Sequence, residues 1–257
     1  MKFAHRFVIG SASVVGLLLV WQVAAGSGWI DAMFLPPPTE IAKTTLDLLR
    51  NGYQQIPLWE HVVVSVARAL VAFFASVVIG VPLGLVMGLS PLTSAVLDPF
   101  IQFLRPLPKI ALIPLMVVWF GIGEMSKFIL IFISCFLSVV VGAAAAVGGV
   151  SRARMLAAET LGASRHQIFR YVVLPNALPE IFTSVRLSIG IGWTSLIAAE
   201  LVAATSGLGW MVMNAGTYLR TDVVMVGILL LGLIGYLLDF AIVLTQRAVV
   251  PWAGRDA

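Results

Sequence analysis

The sequence predicts an all-α, polytopic membrane protein with about six transmembrane helices. Of its 257 residues, 60% are hydrophobic and only 11% are charged, whereas soluble domains carry about 25% charged residues. The apolar runs are long and do not alternate with polar residues, which favours helices over a β-barrel. We therefore expect one transmembrane domain over residues 1–257.

The first predicted span, 7–26, follows the basic residues Lys2, His5 and Arg6. A basic start followed by Val23-Ala24-Ala25 also fits a cleaved signal peptide. The apolar run is longer than the ~7–15 residues of a signal core. Its length favours a retained helix, with the signal peptide as the alternative.

After the first span, the sequence predicts an extended stretch followed by a short helix. FLPPPTE, residues 34–40, is expected to be extended because three prolines oppose a helix. TEIAKTTLDLLRNG then predicts a short amphipathic helix that Thr39 caps and Gly52 ends.

The other spans are predicted at 62–89, 95–120, 128–150, 180–204 and 222–247. In the second span, Gly80, Gly84 and Gly88 recur every four residues and form one smooth helix face. Two interpretations stay open, a close helix–helix contact or the ordinary glycine content of membrane helices.

Basic residues set the predicted orientation, because loops rich in Lys and Arg stay in the cytoplasm. Nine fall on one side and four on the other. The nine are Lys2, Arg6, Arg152, Arg154, Arg165, Arg170, Arg186, Arg247 and Arg255, and the four are Lys43, Arg50, Lys127 and Arg220. Both termini and the connection between spans four and five are therefore expected in the cytoplasm.

That connection, residues 151–175, is predicted to be a structured knob. Ser151 can cap a first helix, and Gly162 can end it in a left-handed conformation. Ser164 and Gln167 form a capping box for a second helix, which Pro175 is expected to close. Since a plain connection needs only a few residues, a preformed knob implies a soluble partner.

AAETLGASRHQIFRYVVLP, residues 157–175, resembles the EAA loop of binding-protein-dependent ABC importer permeases. Val172 stands where that pattern has isoleucine, and Leu156 where it has glutamate; Glu159 lies three residues further on. In the family this loop is the coupling helix, which docks into the ATP-hydrolysing subunit. The resemblance implies a contact surface made of Ala157, Ala158, Glu159, Gly162, Ala163, Arg165, Leu174 and Pro175.

Segments along nearly the whole chain, among them LDPFIQFLRPLPKIALIPLMVVWFGIGEMSK and AAELVAATSGLGWMV, resemble the nitrate/sulfonate/taurine branch of these permeases, and the taurine permeases most. The resemblance implies a second permease copy, two ATP-binding cassette subunits and a periplasmic binding protein as partners. It implies taurine as cargo, with alkanesulfonate or nitrate as alternatives.

The residues themselves argue against other functions. The chain has no Gly-Lys pair and hence no phosphate-binding loop of its own. Its three histidines are scattered and its single cysteine, Cys135, lies in an apolar run, so no metal, cofactor or enzyme activity is predicted. No basic run indicates nucleic acid. An ion-coupled transporter remains an alternative, with Glu200 and Asp239 as the nearest intramembrane carboxylates.

The predicted substrate path rests on polar groups and prolines at membrane depth, which usually line a cavity. Arg105 or Lys109 could meet a sulfonate, and the alternative is that both face lipid headgroups or the ATPase subunit. Glu200 could contact substrate or the binding protein, although pairing with Arg220 is the favoured interpretation. Arg68 and Arg186 are expected to anchor span starts. The path residues are Arg105, Pro106, Pro108, Lys109 and Glu200.

Overall fold

The computed structural model describes residues 2–253, and Met1 and residues 254–257, including Arg255, lie outside it. Its helices follow one another along the whole described chain. They are α1 Lys2–Gly26, α2 Pro38–Asn51, α3 Leu58–Leu89, α4 Pro91–Leu104, α5 Ile113–Phe120, α6 Glu124–Gly148, α7 Arg152–Thr160, α8 Arg165–Ile168, α9 Leu174–Ala203, α10 Leu208–Thr217 and α11 Thr221–Val249. This confirms the all-α class.

Within residues 2–253, four helical segments are long and apolar enough to cross a membrane: Leu58–Leu89, Glu124–Gly148, Arg165–Ala203 and Thr221–Val249. They match four of the predicted spans, with ends that differ by up to 15 residues. A fifth span exists if α4 and the helix after it are taken together. The first apolar run forms α1, in which Ala12–Gly26 is an apolar helical stretch.

The predicted span 95–120 is not one continuous helix. The helix ends at Leu104 and resumes as a 3-10 turn, Lys109–Leu112, before α5, and the two parts are bent by 89°. Pro106 and Pro108 cause the break, because each lacks a backbone N–H and disfavours helical geometry in the preceding residue.

The extended stretch predicted over residues 34–40 is also wrong at its end. Helix α2 begins at Pro38, one residue before the predicted cap Thr39. A proline at the first helical position loses nothing, since its N–H would have no partner there. Gly52 ends the helix with φ +73°, as predicted.

The described chain divides into two compact units, Met1–Val64 with Thr205–Gly232, and Ser65–Ala204 with Leu233–Ala257. In the first unit, the Thr39 N–H donates to Gln22 of α1 at 3.1 Å, and Thr44 Oγ1 donates to Asp222 of α11 at 3.0 Å. Buried His61 stacks on Trp210 with ring centroids 5.6 Å apart.

His61 Nδ1 also accepts from the Gly207 N–H at 3.1 Å. This bond fixes the turn that leads into α10, where Gly207 has φ +116°.

The core of the second unit is the contact between α6 and α9. Small residues allow the close approach: a Cβ on Gly192 would collide with Cys135, and one on Gly142 with Ser184. Because backbone groups in lipid are satisfied within each helix, such contacts are held mainly by packing.

The glycine face of α3 is a helix contact, which decides between the two interpretations left open above. A Cβ on Gly84 would lie 2.6 Å from the Ala143 Cβ, and one on Gly88 would lie 2.6 Å from the Val147 Cβ. At Gly80 the nearest atom, Val139 Cγ1, is 3.1 Å away. All three neighbours belong to α6.

Candidate functional site

The segment 151–175 begins with a helix, a bend at a glycine and a second helix whose first turn is capped by a side chain. Helix α7 ends at Thr160, and Gly162 adopts φ +79°, the left-handed conformation predicted for it. The capping box is present: the Gln167 N–H donates to Ser164 Oγ, and the Ser164 N–H donates to Gln167 Oε1 at 2.7 Å. Ser151 precedes α7 but makes no side-chain cap.

The prediction that Pro175 closes this second helix is wrong. Leu174 is helical, with φ −61° and ψ −48°, and the helix runs from Arg165 to Ala203 without a break. A π-helical turn, Phe169–Val173, joins α8 to α9 and places Pro175 in the first turn of α9. A π turn can accommodate a proline, because the wider turn relieves the clash between the proline ring and the carbonyl of the preceding turn. A carbonyl that loses its partner because proline has no N–H can then accept from another donor. The Asn176 side chain donates to Val172 O at 2.6 Å.

One side of the segment is anchored in the second unit. Val173 and Ala177 are buried with Ala143 and Val147 of α6, and Ile168 and Phe169 pack against that cluster. Arg154 also hydrogen-bonds the Asn176 side chain. The segment therefore has a fixed position against α6 and α9.

The other side is exposed. Leu161 is 87% exposed and Leu156 is 51% exposed, on a segment that also exposes Glu159, Gly162 and Arg165. Ala157 is exposed, and the remaining residues of the predicted contact surface are half-buried: Ala158, Ala163, Leu174 and Pro175. Two leucines that precede the glycine bend are therefore exposed on a segment that also carries exposed charged residues.

Four of the predicted path residues lie at the bend between α4 and the 3-10 turn that precedes α5. Arg105, Pro106 and Pro108 are exposed and Lys109 is half-buried. The Lys109 ammonium donates to the Arg105 carbonyl, a backbone group that the prolines free from helical bonding. Both cationic groups therefore lie at the bend.

Glu200, the remaining predicted path residue, does not pair with Arg220. It is 0% exposed and accepts from Arg68 Nη1 at 2.7 Å and from Ser65 Oγ at 2.9 Å. Arg220 instead pairs with Asp222 at 2.9 Å, which raises the pKa of the Arg220 guanidinium. Arg68 is thus a buried ion-pair partner and not the headgroup anchor predicted from its place near a span start.

Arg68 joins residues near the ends of three helices into one charged cluster. Its Nε and Nη2 each donate to Glu124 at 2.6 Å, a two-bond fork. Lys127 Nζ donates to Glu124 Oε1 at 2.9 Å. We call Arg68, Glu124, Lys127 and Glu200 the charged cluster; it links α3, α6 and the end of α9, and its formal charges cancel.

Sequence reasoning missed this cluster because its members lie far apart in the chain. Glu124 is 56 positions after Arg68, and Glu200 is 132 positions after it. The available signal was the cost of an isolated arginine in an apolar helix, which calls for a carboxylate partner. Asp239 is likewise paired, accepting from Arg186 at 2.6 and 2.7 Å.

A helical chain with four or five candidate spans and an anchored, exposed segment between two of them is a multi-pass membrane protein. A family model described as binding-protein-dependent transport system inner membrane component matches residues 80–255. The chain belongs to this family, the inner-membrane permeases of ABC importers, whose ATP is hydrolysed by a separate subunit.

Curated relatives place it in the sulfonate branch of the family. It is 46% identical to the taurine transport system permease protein TauC of Escherichia coli over 96% of this chain and 90% of the relative. It is 37% identical to the putative aliphatic sulfonates transport permease protein SsuC of Escherichia coli, over 93% and 89%.

A solved structure has the same fold. The chain aligns with an inward-facing conformation of the MetNI methionine ABC transporter with a TM-score of 0.63 and 23% identity. The alignment covers 80% of this chain and 98% of the other.

Proposed function

We propose that this chain is the permease subunit of an importer for taurine, with other sulfonates as the second candidate cargo. The observation that carries the proposal is the 46% identity over almost the whole chain to a taurine permease, against 37% to an aliphatic sulfonate permease. Nitrate is the third candidate, since a nitrate import permease is 27% identical.

The working assembly contains two copies of this chain, two ATP-binding cassette subunits and a periplasmic binding protein. Each copy crosses the membrane six times, with α1 as the first span and the bent α4–α5 pair as the third. Both termini and the segment 151–175 face the cytoplasm. The nine-to-four distribution of basic residues supports this orientation.

The segment 151–175 is the contact for the ATPase subunit. Leu161 and Leu156 enter an apolar cleft of the partner, with Ala157, Ala158 and Ala163 allowing close approach. Glu159 and Arg165 meet charges at the rim, and Gly162, Leu174 and Pro175 set the shape. Support comes from the exposed side of the segment and from its firm attachment to α6 on the other.

ATP binding closes the two ATPase subunits and draws the two contact segments together. Because one continuous helix runs from Arg165 to Ala203, a displacement at its start is carried as a rigid-body movement to its other end. Such rocking opens the path alternately to each side, and Arg105 and Lys109 at the bend, with Pro106 and Pro108, line it.

Ion coupling is disfavoured by the pairing of the two intramembrane carboxylates. Glu200 is held by Arg68 and Asp239 by Arg186. Both carboxylates are thus already engaged by an arginine of the same chain, whereas an ion-coupled carrier needs a carboxylate that takes up the coupling ion.

The cargo is tested by reconstituting the chain with its ATPase subunit and binding protein in proteoliposomes. Uptake of labelled taurine should require both ATP and the binding protein. Ethanesulfonate and nitrate serve as competitors in the same assay. Uptake without ATP would contradict the importer, and stronger competition by nitrate than by ethanesulfonate would contradict the sulfonate assignment.

The contact is tested with Gly162→Leu. No atom lies within 4 Å of a Cβ at Gly162, so the added side chain collides with nothing in this chain but obstructs a partner. The φ of +79° strains a leucine at this position, and the control variant must carry the same strain. Co-purification of the ATPase subunit and taurine-stimulated ATP hydrolysis should both be lost. The matched control is Gly121→Leu, which has the same open surroundings and a φ of +77° but lies at the end of α5; equal losses from both variants would contradict the contact.

A further inference from the structure

We propose that Arg68 and Lys127 form a binding site for the sulfonate group of the transported substrate, and that the Glu124 carboxylate occupies this site when substrate is absent. The inference deepens the proposed function and rests on it. It assigns a ligand-binding role to residues that the sequence-based prediction of the path did not include.

The two cations are buried, whereas the anion that they hold is exposed. The Arg68 and Lys127 side chains are 8% and 4% exposed, and the Glu124 side chain is 66% exposed. Each buried cation favours an adjacent anion, because an uncompensated buried charge is costly. Glu200 stays beside Arg68 in either state. An exposed carboxylate, by contrast, can move into solvent at little cost once another anion takes its place.

The geometry of the cations fits a sulfonate. Arg68 directs two N–H groups to two oxygens of one group at 2.6 Å, and Lys127 adds a third donor at 2.9 Å. A sulfonate presents three equivalent oxygens on one sulfur atom, so two can accept from the guanidinium fork and the third from the ammonium.

The exchange also preserves charge. One singly charged group, the sulfonate, replaces another, the Glu124 carboxylate, so the negative charge held between Arg68 and Lys127 is the same before and after. Glu124 is the first residue of α6, a 25-residue helix, and the partial positive charge at a helix start favours an anion there in either state.

The remaining member of the charged cluster, Glu200, sets the orientation of Arg68. Glu200, which is 0% exposed, accepts from Arg68 Nη1 and from Ser65 at 2.7 and 2.9 Å. This leaves Nε and Nη2 directed at Glu124. Glu200 is therefore a positioning residue, which separates it from the direct substrate contact predicted from the sequence.

The test uses the permease–ATPase complex in lipid nanodiscs without the binding protein, and it measures equilibrium binding of labelled taurine. Glu124→Gln removes the charge of the occupying group. It should tighten taurine binding about tenfold or more, because a hydrogen bond to a charged acceptor contributes roughly 1.5–3 kcal/mol. Ethanesulfonate should compete, and ethylamine should not.

Two variants complete the comparison. Lys127→Gln should weaken taurine binding, and Asp239→Asn, which disrupts the separate Arg186 pair between α9 and α11, should leave it unchanged. The Glu124→Gln result stands even where Lys127→Gln fails to fold, since a purely structural ion pair cannot yield a gain in affinity.

Unchanged or weaker binding in Glu124→Gln, or competition by ethylamine instead of ethanesulfonate, would overturn the site. Uptake by the wild-type transporter separates this failure from that of the proposed function. If wild-type proteoliposomes import taurine and Glu124→Gln shows no gain, the site is wrong and the function stands. If they import no sulfonate, the function itself is wrong.

Discussion

Alanine substitutions along the glycine face of α3 should destabilise the protein in an order that the structure sets. A Cβ at Gly84 would lie 2.6 Å from the Ala143 Cβ and 2.5 Å from the Val140 carbonyl oxygen, and one at Gly88 would lie 2.6 Å from the Val147 Cβ. Carbon atoms in contact prefer about 3.5–4.0 Å. Helices α3 and α6 would therefore have to separate by about 1 Å.

Overpacking of this kind costs about 1–3 kcal/mol, which we expect for Gly84→Ala and Gly88→Ala. Gly80→Ala should cost less, because its nearest neighbour is a Val139 side-chain carbon at 3.1 Å. Gly190→Ala is the control, since no atom lies within 4 Å of that position, and the alanine should stabilise α9 slightly.

The measurement is the free energy of unfolding, obtained by titrating mixed micelles of the purified chain with denaturing detergent. The expected order of destabilisation is Gly84 and Gly88, then Gly80, then Gly190. If Gly190→Ala lowered the free energy of unfolding as much as Gly84→Ala, helix flexibility and not helix contact would explain these glycines, and the reasoning would fail.

Three further predictions concern buried groups. Arg68→Leu should lower the free energy of unfolding by about 3–5 kcal/mol, because Glu200 then stays buried without its ion-pair partner. The double variant Arg68→Leu/Glu200→Leu should recover much of that loss. A double variant as unstable as the single one would contradict the pairing. Cys135, which is 0% exposed, should react with maleimide slowly in the folded protein and rapidly after denaturation, and fast labelling in mild detergent would refute its burial. His61→Phe keeps a ring against Trp210 but leaves the Gly207 N–H without its acceptor, so it should cost about 1–3 kcal/mol of unfolding free energy; an unchanged value would show that stacking alone holds this turn.

Local signals in the sequence predicted local structure well. The left-handed Gly162, the Ser164–Gln167 capping box and the end of α2 at Gly52 all depend on residues within one helical turn. Such features follow from backbone geometry and neighbouring donors, so no distant contact is needed to foresee them.

Features that depend on distant partners could not be foreseen. The role of Arg68 required Glu124 and Glu200, which come from two other helices. The helix through Pro175 required a π turn that packing against α6 supports. In both cases a sequence rule applied to one residue was outweighed by a contact with a residue far along the chain.

The π turn at Phe169–Val173 changes the direction in which the part of the helix before it faces. An α-helix advances about 100° per residue, and a turn with i→i+5 bonding holds about one residue more. The part before the turn therefore faces about 100° away from where an unbroken α-helix of the same sequence would direct it. Deleting one residue within the turn should remove the π bonding and preserve the facing, whereas a deletion elsewhere in the helix would rotate it. The direction in which the 151–168 segment faces around the helix axis is thus set by the number of residues in the π turn. No single side chain of the segment determines it.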